Sequence, residues 1–192
     1  MKKIVMLLLT ILILTGCQEK SYFDQYKGTY TKTTYTNTGL GFIFTLPDGA
    51  TMLSESDINA EEKNRLEGKT EEEIKILKTR KKLMHATFPG TGVSVYGYLE
   101  YFENGKTEES YINDLELYYS SSTDFEPIFG GVYTANLFGE TFMVLPFIIE
   151  NANSVQMIYV KKMDNYILAF TFVYPAAESI KIIQMINAFT EK

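Results

Sequence analysis

The sequence predicts an α+β domain: an antiparallel β-sheet with helices packed on its faces. Three observations carry that expectation. Runs rich in β-branched and aromatic residues recur between residues 29 and 174, separated by short turn signals, as in hairpins and meanders. Two segments with helical spacing, 107–119 and 176–190, interrupt and close that series. Of the 192 residues 45% are hydrophobic and 22% charged, a balance that supports one packed core and excludes wholesale disorder.

The chain opens on Lys2 and Lys3, followed by the apolar run 4–14 (IVMLLLTILIL). As a helix that run spans about 16 Å, half the thickness of a bilayer core, so it reads as a secretory signal and not as a membrane span. The next residues, Leu14-Thr15-Gly16-Cys17, resemble the lipobox of bacterial lipoproteins: an aliphatic residue, two small ones, then the cysteine. The resemblance implies cleavage after residues 1–16 and lipidation of Cys17 by a thioether-linked diacylglyceryl group. It also implies attachment to the extracytoplasmic face of the cell membrane. Two acyl chains hold a protein stably where one would not. Residues 17–27 are expected to form a short tether that keeps the domain near the bilayer, since they lack the Gly/Ser/Pro run of a flexible stalk.

Residues 28–192 are expected to form one domain. Its first strand is expected at 29–36 (TYTKTTYT), followed by the turn Asn37-Thr38-Gly39 and a buried strand at 40–46. The stretch 54–84 is a charged helical excursion. Ser54 or Ser56 caps a helix through Leu66, Gly68 interrupts it, and Thr70-Glu71-Glu72-Glu73 offers a second capping box. Its alternative role is a mobile flap or a partner-binding arm. A hairpin follows, 83–88 and 93–102 around Pro89-Gly90-Thr91-Gly92. Next come the helix 107–119, strands at 132–138, 141–149, 155–163 and 166–174, and the helix 176–190. Pro146 inside the second of those four strands marks an edge or a bulge.

This order, with residues 41–49 (GFIFTLPDG) and 162–172 (KMDNYILAFTF) followed by Pro175, resembles the PsbP-like fold, an α/β/α sandwich around an antiparallel sheet. The resemblance implies an interaction module rather than an enzyme, and it carries no site residue onto this chain.

Eighteen Lys and Arg stand against 24 Asp and Glu, a net charge of −6, and loss of the leader with Lys2 and Lys3 takes it to about −8. That sign excludes nucleic acid as a partner. With Cys17 lipidated there is no other cysteine, hence neither disulfide nor thiol nucleophile. His85 is the sole histidine and reads as a partly exposed strand residue; no nucleophile motif accompanies it. No metal site, cofactor or catalytic residue is expected. Glu100, Glu103, Glu108 and Glu109 read as a solvated face. Tyr96 and Tyr98 share one face of a strand, with Tyr101 on the other; they serve packing or form a binding platform. The expectation is a non-catalytic module binding a protein or small ligand that is not itself readable from the sequence. The alternative is a cell-envelope hydrolase using paired carboxylates.

Overall fold

The computed structural model describes residues 22–123 and 126–192; the leader and Cys17 lie outside them. Two antiparallel sheets are present. The smaller has the order β1 (Thr29–Tyr30), β2 (Thr34–Asn37), β3 (Phe42–Thr45), β12 (Phe189–Glu191). The larger runs β4 (Thr51–Met52), β5 (Arg80–Phe88), β6 (Val93–Tyr101), β11 (Tyr166–Tyr174), β10 (Ser154–Met163), β9 (Glu140–Ile149). The far side of β9 is shared by β7 (Pro127–Phe129) and β8 (Tyr133–Leu137). Four α-helices complete the described fold: α1 (Glu55–Leu66), α2 (Glu71–Leu77), α3 (Glu108–Ser121) and α4 (Ser179–Asn187). The α+β class and the hairpin–helix–meander order match the sequence expectation.

The differences have local physical causes. The run 29–36 is a hairpin and not one strand. The Thr31 hydroxyl accepts the N–H groups of Thr33 and Thr34 at 3.3 and 2.9 Å and turns the chain, so Thr29 pairs with Thr36. The run 17–27 is not all tether, because Phe23 and Tyr26 are buried in the core. In the excursion 54–84 the helices end at Leu77, and Leu83 and Met84 belong to β5, fully buried. The last helix stops at Asn187, and Phe189 enters the small sheet opposite Phe44. Its inward residues are therefore Ile182 and Met185, while Ile183 is exposed. β4 and β7, at two and three residues, are too short to leave a period.

Pro146 stands where β9 changes partner. β8 pairs with residues 140–144 and β7 with 147–149; the Pro146 carbonyl accepts the Gly130 N–H at 2.8 Å in the gap between them. A missing N–H costs no ladder bond there.

Two apolar layers follow from strand alternation. On the inner face of the large sheet, Phe170 and Phe172 meet Phe42, Phe44 and Phe189 of the small sheet and Met185 of α4. Edge-on ring contacts run through this layer, such as Phe170 on Phe42 at 5.3 Å and on Phe189 at 4.8 Å. On the outer face, Leu145, Phe147, Ile158, Val160 and Ile167 receive Tyr111 and Ile112 of α3. Helices thus pack on both faces of the large sheet.

The charged segment is tied down rather than detached. Ser54 with Asp57, and Thr70 with Glu73, form capping boxes at the starts of α1 and α2. Ile58 is buried, Glu61 holds Lys82 at 2.6 Å, and Arg65 donates to the carbonyls of Leu77 and Arg80 at 3.1 and 3.0 Å. The i,i+4 pair seen in α2's approach is Lys69 with Glu73, at 3.7 Å.

Candidate functional site

α3 is fixed at its start. Thr107 caps it, accepting the Ser110 N–H at 3.1 Å, and the Glu108 carboxylate accepts the Lys162 N–H at 2.9 Å. From there Tyr111, Ile112, Leu115 and Tyr119 pack onto β9, β10 and β11. The outward residues of β5 and β6, half-buried, lie beside the helix. Between helix and strands lies a groove of about 430 Å³. Its apolar lining is Phe102, Leu115, Tyr118, Tyr119, Ile158 and Ala169; its polar groups come from Arg80, Glu100, Lys106, Tyr111, Asp114 and Thr171.

Most of those polar groups are already matched. The Tyr111 hydroxyl donates to Glu100 at 3.0 Å. Burial, followed by the charge of Glu100, pushes that phenol well above its ordinary pKa, so it stays a neutral donor. Lys106 is paired with Asp114 and sits over the rings of Phe102 and Tyr111 at 4.9 and 5.7 Å.

Arg80 is different. Its guanidinium lies 4.1 Å over the ring of Tyr98, and Nε is shut away from solvent with no acceptor. Glu100 faces it directly across the β5–β6 register, yet the two form no ion pair.

The tyrosines of β6 distribute as alternation predicts. Tyr96 and Tyr98 lie together on the outer face, ring centroids 6.4 Å apart, and Tyr101 joins the inner layer. They are not a bare platform. His85 stacks on Tyr96 at 4.3 Å, Arg80 covers Tyr98, and Lys82 reaches both rings at 5.7 and 5.9 Å. Burial, then the charge of Lys82, holds His85 below its ordinary pKa, with Glu61 opposing weakly. Its Nδ1 has no partner. The four acids divide in the same way: Glu100 and Glu108 accept hydrogen bonds, while Glu103 and Glu109 are exposed. Among the described residues, no three His, Cys, Asp or Glu side chains come together as a metal site would need.

A smaller cavity, about 40 Å³ between α1 and the first hairpin, holds little more than one water. Beside it Tyr30 donates to the Leu83 carbonyl.

Sequence reasoning placed the helix and the tyrosine faces but missed Arg80 and Lys106 as neighbours. Arg80 begins a run with Lys81 and Lys82 that reads as the tail of the charged excursion; only the register of β5 turns it toward the groove.

Residues 1–18 match the family model described as the prokaryotic membrane lipoprotein lipid attachment site. Among solved structures, the fold is similar to the solution structure of cyanobacterial PsbP (CyanoP) from Synechocystis. The two share 9% sequence identity with a TM-score of 0.51, over 94% of this chain and 99% of that one. No curated protein matches the sequence. No helix among the described residues is long and apolar enough to cross a membrane. The chain is a lipid-anchored membrane lipoprotein that carries a PsbP-like α+β domain.

Proposed function

We propose that the chain is exported, cut before Cys17, lipidated there and held on the extracytoplasmic face of the cell membrane. Its single domain, 28–192 together with the packed residues 22–26, acts as a non-catalytic binding module with its ligand in the groove beside α3. The groove is the observation that carries the binding role. Its volume falls in the range of small-molecule sites, roughly 300–1,000 Å³, and the rings of Phe102, Tyr111, Tyr118 and Tyr119 stand in it among convergent polar groups. The attachment-site match supports the anchor.

The chemistry of the groove favours binding over turnover. A hydrolase with two working carboxylates keeps one as a proton donor and the other as base or nucleophile. Here Glu100 accepts from Tyr111 and Asp114 pairs with Lys106, so both acids already serve structure. His85 stacks on Tyr96 away from them.

Fractionation and protease shaving test this reading together. The protein is expected in the membrane fraction and is expected to be degraded when intact protoplasts meet protease, while Cys17→Ala moves it out of the membrane. Recovery of the wild-type protein in the cytosol, or protection from external protease, would overturn it.

A further inference from the structure

We propose that the groove beside α3 takes a ligand with one carboxylate and an apolar body, the carboxylate held by Arg80. The inference rests on the groove being the binding site. Arg80 lines the groove with a fork of N–H donors, and the two acids beside it are engaged elsewhere, Glu100 by Tyr111 and Asp114 by Lys106. Stacking on Tyr98 fixes the plane of the guanidinium, and with it the direction of its donors. Its natural acceptor in the fold, Glu100, accepts instead from Tyr111.

The surroundings set the ligand's charge. Lys106 is paired with Asp114, and Glu100 accepts from Tyr111. Arg80 therefore offers its donors to the ligand beside a single unpaired acid, Glu100, which disfavours a multiply charged anion. A planar monocarboxylate matches the fork in a bidentate arrangement. Its apolar body lies against Phe102, Leu115 and Tyr119. The same chemistry comes from a free organic acid or from the end of a peptide chain.

Saturation-transfer NMR on the lipidated protein in phosphatidylcholine nanodiscs, with empty discs as the blank, tests this. The probes are 3-phenylpropionate, the N-acetylated dipeptide of glycine and phenylalanine with a free C-terminus, 3-phenylpropylamine and 3-phenylpropanol. At least one carboxylate probe is expected to bind tenfold or more tightly than the amine and the alcohol, and the better of the two assigns the source. Arg80→Gln is expected to remove that preference, Arg80→Lys to restore part of it, and Leu115→Trp to block every probe. Equal binding of alcohol and carboxylate, or a preference untouched by Arg80→Gln, overturns the carboxylate assignment and leaves the groove standing. Binding of no probe overturns both.

Discussion

The ring of Tyr22 lies stacked on that of Tyr101, centroids 4.2 Å apart and planes 18° apart. The Tyr166 hydroxyl donates to the Tyr22 carbonyl at 2.5 Å, and Phe23 and Tyr26 continue the contact inward. Five residue steps separate Cys17 from Tyr22, a reach of at most about 18 Å even when fully extended. Under the proposed lipidation of Cys17, this end of the sheet is held within that reach of the headgroups. Phe102, which follows Tyr101 in the chain, lines the groove on the opposite face of the sheet.

Removing the stack loosens the docking of that segment. Tyr101→Ala is expected to speed limited trypsin cleavage at Lys27 several-fold and to lower stability by about 1 kcal/mol, the worth of an aromatic pair with its burial. Unchanged cleavage would show that Phe23 and Tyr26 hold the segment alone.

Among the described residues Asn37 is one of two buried polar ones, and it is the hub of the first turn. Its amide donates to the Tyr26 carbonyl and the Tyr35 hydroxyl at 2.8 and 2.9 Å, and its oxygen accepts the Leu40 N–H at 3.1 Å. Asn37→Leu strands three buried groups. A loss of about 2–3 kcal/mol is expected in chemical denaturation, where an exposed asparagine would cost almost nothing.

Alkaline pH attacks the core through its tyrosines. Burial raises the phenols of Tyr35 and Tyr159 from 10.0 to about 12, and those of Tyr30 and Tyr111 higher still. An acid whose folded pKa is raised contributes stability that is whole below its unfolded pKa and is lost as pH rises through the folded one. Thermal stability is thus expected to hold below pH 10 and to fall between pH 10 and 12. A fraction of the 14 tyrosines should ionise only as the near-ultraviolet dichroism collapses. Smooth titration of every tyrosine near pH 10 with the fold intact would contradict this.

At low pH the weak points are the caps. Hydrogen bonds from Ser54 hold Asp57, and those from Thr70 hold Glu73, below the usual carboxylate range. A lowered carboxylate stabilises above its unfolded pKa and stops doing so as pH falls through the folded one. Amide protection factors in the first turns of α1 and α2 are expected to fall below about pH 4 before those of β10 or β11 do.

How much was legible follows from what periodicity can register. β10 and β11 run ten and nine residues, send successive side chains to the two apolar layers (Ile158 and Val160 to one, Tyr159 to the other) and meet at a turn through Asp164 and Asn165, so pattern and turn chemistry agreed. Thr70 and Glu73 announce a helix start at fixed spacing. By contrast, Thr31–Thr34 turns through side-chain hydroxyls inside an alternating run, and Phe189 continues a helical stripe while sitting in a strand. Each case is tertiary context overriding a local pattern. The groove was the least legible feature, because it joins Arg80, Tyr119 and Ala169 from three separate elements with Phe102 from the loop after β6.

The most direct test of the account is mass spectrometry of the N-terminal peptide of the protein purified from membranes. A first residue of Cys17 carrying the mass of a thioether-linked diacylglyceryl group is the expected result. An unmodified thiol, or a peptide that still contains residues 1–16, would contradict it.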